Sequence, residues 1–216
     1  MKELIIFIAL IVPILNQIDT SKMFLIFFSR SGNTEMFAKY ILENINIPSY
    51  RIIPVNEYPS LEETLILAQT ELDTEARPEI QNPLTNVNIS EYDIILLGHP
   101  LWHSHLPRIV VNQLEKLDLT GKTIYPFNTY GSLGIGETNS DIKKFAKGAI
   151  VKNGFPIIDY SIKIREESEG QIKKWLNKNF NPNYKDESDA RESSIVDSFK
   201  FINIKYSLLI GLLLLF

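Results

Sequence analysis

Five apolar residues in a row, Phe24 to Phe28, run directly into Ser29-Arg30-Ser31-Gly32-Asn33-Thr34. Met36, Phe37, Tyr40 and Ile41 then recur at helical spacing. The run predicts a strand buried on both faces, and the spacing predicts a helix from Thr34 to about Ile45. A strand, a tight polar loop and a helix N-terminus in that order make an anion site. First-turn amides have no helical acceptor and point into the loop, where the helix dipole favours negative charge. Ser29, Ser31 and Thr34 add hydroxyls, and Gly32 permits positive φ. Phosphate suits this loop; an ordinary capped turn is the alternative.

The rest of the chain alternates strand and helix signals, which predicts a parallel sheet with helices on both faces. Strands are expected at 50–55, 92–98, 121–127 and 155–164, and helices at 61–72, 107–117, 140–153 and 169–179. In such sheets ligands sit beyond the carboxyl ends of the strands. The loops after the first, third and fourth strands stand out in composition.

The other two loops are unusual in composition. Gly98-His99-Pro100-Leu101-Trp102-His103-Ser104-His105 ends the third strand. Its histidines have neither Cys nor carboxylate partners in the loop, so no metal site is expected. An exposed Trp102 would offer a flat apolar wall to a ring ligand, with Pro100, Leu101 and His103 beside it and Gly98 admitting close backbone approach. A core role is the alternative for Trp102. The loop Thr129-Tyr130-Gly131-Ser132 suits wrapping a polar ring edge with backbone donors, with Tyr130 as a second stacking face.

Taken together, these motifs resemble the flavodoxin-like FMN-binding proteins. The hexapeptide at 29–34 is similar to their phosphate loop, Thr/Ser-x-Thr-Gly-Asn-Thr. The loop at 98–107 and the segment Gly121-Lys122-Thr123-Ile124-Tyr125-Pro126-Phe127 look like the subgroup with a Gly-Tyr-Pro-Ile-Trp-Trp loop. The resemblance spans roughly residues 22–180. It implies an α/β fold with a five-stranded parallel sheet in the order 2-1-3-4-5 and helices on both faces, whose switch point between the first and third strands brings the loops after the first, third and fourth strands to one pocket. It also implies FMN held by Ser29, Arg30, Ser31, Gly32, Asn33, Thr34, Pro100, Leu101, Trp102, His103, Thr129, Tyr130, Gly131 and Ser132. The implied function is electron transfer or FMN-dependent oxidoreduction with a redox partner or small-molecule acceptor; an NAD(P)H-dependent quinone reductase of the same fold is an alternative. His99, His103 and Tyr130 are the side chains available to protonate an acceptor. His103 stands where the subgroup has a second Trp, and residues 128–134 replace a Thr-His-Gly-Gly-Ser-Gly-like loop.

Both ends differ from the body. Residues 1–20 carry an apolar run from Leu4 to Leu15 behind Lys2, the pattern of a secretory signal or N-terminal anchor. An added strand or helix is the alternative. A polar spacer at 181–205 precedes an apolar tail at 206–216, which fits a GPI-attachment signal or a tail anchor. The expectation is a membrane-attached protein of the secretory pathway, cell-surface or lumenal, and a scaffold that keeps the fold without flavin is a further reading. Asn88-Ile89-Ser90 is a glycosylation sequon. The chain of 216 residues has a net charge of −4, which disfavours a nucleic-acid partner, and no Cys, which excludes disulfides and thiolate chemistry.

Overall fold

The computed structural model describes residues 20–84, 87–132 and 134–185. The expected signal at 1–20, except Thr20, and the expected tail at 206–216 lie outside the described residues, as do residues 186–205 of the spacer. The chain divides into two units, one of residues 19–176 and the other of residues 1–18 and 177–216. Within the second, the described residues are the end of the last helix and the turn after it. Among the described residues, no helix is long and apolar enough to cross a membrane.

The larger unit is built on a parallel sheet. Its strands are β1 (Met23–Phe27), β2 (Ser49–Arg51), β3 (Ile94–Pro100), β4 (Thr123–Tyr130), β5 (Ile150–Val151) and β6 (Phe155–Ile158). They lie in the order β2-β1-β3-β4-β5, with β6 also paired to β4. This is the expected 2-1-3-4-5 order, with the fifth position filled by two short strands in succession along β4. The helices are α1 (Asn33–Asn44), α2 (Leu61–Asp73), α3 (Arg108–Leu114), α4 (Thr138–Phe145) and α5 (Arg165–Phe180).

Strand alternation sorts the core into two layers. Phe24, Ile26 and Phe28 of the first strand segment face a cluster with Ile95, Leu97, Ile109, Val110 and Ile142, the side covered by α2, α3 and α4. On the other side Phe37 of α1 packs on Phe127 at 4.7 Å, and Trp175 of α5 stacks on Phe155 at 5.2 Å. Both layers bury β1 completely, which is why its sequence is an unbroken apolar run.

Several boundaries differ from expectation, each for a local reason. The second strand stops at Arg51, and Pro54, which has no N–H to donate, forms only an isolated antiparallel bridge to Ile80. The helix expected to reach Asn153 ends at Phe145, because Gly148 takes a left-handed φ of 79° and the chain turns into β5. The strand expected to reach Ile164 ends at Ile158 and gives way to a 3-10 turn at Ser161–Lys163. The last helix starts earlier than expected, at Arg165, where the Arg165–Glu169 pair (2.6 Å) spans one turn.

Candidate functional site

The loop after β1 is shaped by its own backbone. Gly32 caps α1 with φ 89° and ψ −12°, a conformation costly for any residue with a Cβ. Its amide donates to Ser29 Oγ at 3.1 Å, closing the loop, and its carbonyl accepts from Met36 at 2.8 Å, starting the helix. The amides of Asn33, Thr34 and Glu35 fall in the first turn, where no helical carbonyl reaches them. Glu35, the acid of this turn, is neutralised by Arg51 at 2.7 Å. What remains is a cluster of amide and hydroxyl donors beside a positive helix end, the chemistry that suits a phosphate monoester.

The loop after β3 is held by contacts from distant parts of the chain. Trp102 to His105 form a tight turn with reciprocal bonds, His105 N–H to Trp102 O at 2.8 Å and Trp102 N–H to His105 O at 3.3 Å. The two central residues, His103 (φ 47°) and Ser104 (φ 67°), are both left-handed without being glycine. Three outside contacts fix this turn. The His103 imidazole Nε2–H donates to the Leu65 carbonyl of α2 at 2.7 Å. Asp141 of α4 accepts from both His105 Nδ1 and the Leu106 amide at 3.0 Å. The Glu137 amide donates to Ser104 O at 2.7 Å. Gly136 makes the last approach feasible, since a Cβ there would stand 2.4 Å from Ser104 O.

The third loop meets the first through a buried pair of hydroxyls, Thr34 Oγ1 and Thr129 Oγ1, 2.9 Å apart. The three loops border one cavity of 310 Å³, within the range of small-molecule sites. Arg30 and Ser31 line it from the first loop, Pro100 to His103 from the second, and Thr129, Gly131 and Ser132 from the third. Ser29, Gly32, Asn33 and Thr34 build the loop and the helix end without lining the cavity. Leu61, Leu65, Ser104 and Asp159 also line it and were not among the expected residues. Leu61 and Leu65 are four apart on α2 and remain 58% and 36% exposed; helical periodicity alone could not tell this rim from a core stripe. Asp159 comes from the turn after β6, held by the hydrogen bond its backbone N–H donates to Tyr130 O at 2.8 Å.

Four expectations are corrected. Trp102 is not an exposed wall: it is 6% exposed, set edge-on to Phe28 at 5.5 Å and to Tyr58 at 4.9 Å, and only its remaining surface borders the cavity. Gly98 serves the sheet rather than a ligand, because a Cβ there would lie 2.3 Å from the Phe127 ring. Tyr130 does not line the cavity; it belongs to β4, paired with Ile158. His99 is fully buried, and burial lowers its pKa to about 4, so it stays neutral and out of reach of an acceptor.

Behind Trp102 lies a polar network. Tyr58 donates its hydroxyl to the buried Glu71 carboxylate at 3.1 Å. Burial raises the pKa of both groups, against the opposing pull of the Tyr58 hydrogen bond and the nearby Arg108 on Glu71. Among the described residues no cluster of three or more His, Asp or Glu could hold a metal ion.

Comparison with known proteins agrees with the fold. A protein of Bacteroides uniformis, provisionally designated a flavoprotein, superposes with a TM-score of 0.63 at 26% identity, covering 74% of this chain and 99% of its own. A counterpart from Bacteroides eggerthii gives 0.61 at 28% identity, covering 73% and 96%. A flavoprotein of Lactobacillus acidophilus solved in complex with FMN shares the fold, with a TM-score of 0.55 at 22% identity over 68% of this chain and 99% of its own. No curated protein matches the sequence. The flavodoxin family model matches residues 22–179, and the chain belongs to that family.

Proposed function

We propose that the three-loop cavity binds FMN and that the protein acts in electron transfer or as an FMN-dependent oxidoreductase. The observation that carries this reading is the convergence of the loops after β1, β3 and β4 on one cavity beside the α1 N-terminus. The residues fit the group. The donor cluster at 29–35 contains no unpaired carboxylate, and the cavity beside it is walled by Pro100, Leu101, Trp102, Leu61 and Leu65.

Bound FMN would supply one- and two-electron redox chemistry. The chain's own residues do the rest. First-turn amides, Ser31 and Asn33 hold the phosphate, Arg30 adds positive charge, and the apolar walls exclude water. Gly131 and Ser132 line the cavity, and their backbone groups would meet a polar ring edge. His103, with Nε2–H committed to Leu65, orients the loop instead of delivering a proton. A redox partner or small acceptor would reach the site at the rim where Leu61 is exposed.

Titration of the full chain with FMN and with riboflavin tests the reading. FMN should bind at least a hundredfold more tightly, since riboflavin lacks the phosphate. Equal affinities would remove the phosphate loop from the site, and no binding of either would end the flavin reading. The secretory, membrane-attached location remains part of the proposal. The exposed side chain of Asn88 supports it, being accessible for glycan transfer. Glycosidase treatment of native protein should shift its mobility, and Asn88→Gln should abolish that shift.

A further inference from the structure

Glu71 sits where packing alone would place an apolar side chain. With Thr64 and Ala68 it forms the buried stripe of α2, and it is 7% exposed. Burying a carboxylate is costly unless it is paired and hydrogen-bonded. Its partner is Tyr58, whose hydroxyl donates to Glu71 Oε2 at 3.1 Å. Arg108 lies near enough to favour the ionised form, while burial raises the proton affinity of the carboxylate. The pair is a phenol facing a buried base.

Neighbouring bonds fix the backbone around Tyr58. Pro59 O accepts from Arg30 at 2.6 Å and from the Thr64 hydroxyl at 3.1 Å, and Ser60 caps α2 in a reciprocal pair with Glu63. The Tyr58 ring meets Trp102 with centroids 4.9 Å apart. Phe28 fills the remaining corner, 5.6 Å from Tyr58 and 5.5 Å from Trp102. Trp102 borders the three-loop cavity, whereas Tyr58 lines a separate cavity of 500 Å³ beside Arg51 and Ile53. Indole, phenol and carboxylate thus stand in series, leading away from the three-loop cavity.

In a chain without Cys, indole and phenol are the side chains that yield a single electron most readily. A phenol that loses an electron becomes a very strong acid. A base already hydrogen-bonded to it lowers the barrier by taking the proton in the same step. Tyr50 lacks this arrangement, since its hydroxyl meets Asn82 O and the side-chain carbonyl of Gln113, neither of them a base.

We propose that Trp102, Tyr58 and Glu71 form a relay that carries one-electron oxidation away from the three-loop cavity. The oxidant is a one-electron acceptor in that cavity, such as a flavin excited by light. Trp102 loses an electron to it. Tyr58 then returns an electron to the indole, and its O–H bond breaks as the proton passes to Glu71 Oε2. In sum the oxidant gains one electron, Trp102 is restored, Tyr58 becomes a neutral phenoxyl radical and Glu71 a neutral carboxylic acid. The role of the relay rests on the redox reading of the cavity; its chemistry belongs to the chain alone.

Pulse radiolysis of the flavin-free full chain tests it, with the azide radical as oxidant. The chain has two Trp, so Trp175→Phe leaves Trp102 as the sole indole and keeps an aromatic ring against Phe155. The indole radical should give way to a phenoxyl radical at a rate independent of protein concentration. Tyr58→Phe and Glu71→Gln, both close in shape to the residues they replace, should each slow that transfer roughly tenfold or more. Time-resolved infrared spectra should gain a carboxylic-acid carbonyl band as the phenoxyl forms. That band is read with Tyr58 and Glu71 intact, so it decides the point even where a variant folds poorly. Unchanged transfer in Tyr58→Phe would overturn the relay, because another tyrosine then supplies the electron. Unchanged transfer in Glu71→Gln, or absence of the carbonyl band, would equally overturn it, because the proton then goes elsewhere. Either failure leaves the flavin reading standing, since no flavin is present. Failure of FMN to bind would remove the flavin oxidant and leave the measured relay in place.

Discussion

The loop after β1 and the loop after β3 serve one cavity but are made in opposite ways. The first is local: Gly32 turns, Ser29 closes the loop, and α1 begins, all within a few residues. The second is assembled from a distance, by α2 through Leu65 O, by α4 through Asp141, and by the Glu137 amide on Ser104. A local loop keeps its shape as long as its own torsions are satisfied. An assembled loop depends on every element that reaches it, so damage far from the cavity should be felt there.

That contrast can be broken most forcefully at Trp102. Trp102→Ala removes a buried ring packed on Phe28 and Tyr58 and should cost about 3–5 kcal/mol in urea unfolding. A cost below about 1 kcal/mol would show that the loop packs less firmly than these contacts indicate.

The buried base of β3 gives the next largest effect. The unfolded chain protonates His99 near pH 6.5, whereas burial holds it neutral in the native state down to about pH 4. The native pKa is depressed, so the stability tied to this group is whole above pH 6.5 and is lost as pH falls toward 4. The loss should reach about 3 kcal/mol. His99→Gln should remove that part of the pH dependence, and identical profiles for parent and variant would contradict it.

Asp141 lies on a different helix from anything in the cavity, yet it holds two groups of the aromatic loop. Asp141→Ala should cost about 1–3 kcal/mol and speed amide exchange at Leu106, with Gly32 unaffected. The converse change, Gly32→Ala, forces a Cβ into a left-handed cap with open space around it, so strain alone is expected, about 1–2 kcal/mol. Its effect should stay within 29–36 and leave the Leu106 amide unchanged.

The same contrast decides what could be read in the sequence. The strand–helix alternation and the phosphate loop were legible because local pattern determines them: an apolar run, a Gly and a helical stripe. The strand order was available only through the family resemblance, since strand pairing is set by contacts far apart in sequence. The aromatic loop was legible in composition but not in posture. Nothing near Trp102 reveals that Phe28 and Tyr58 bury it, and nothing near Gly98 reveals that Phe127 occupies the space a side chain would need. Leu61, Leu65 and Asp159 were missed because their place at the cavity is set by how α2 and the turn after β6 meet the sheet.

Hydrogen–deuterium exchange of the full chain with and without FMN tests the central claim most directly. The account predicts simultaneous slowing at 29–35, 99–104 and 129–132, with the helix interiors unchanged. Slowing in the first loop alone would reduce the site to a phosphate pocket. Slowing in none, at FMN concentrations well above micromolar, would contradict the claim that these three loops form a flavin site.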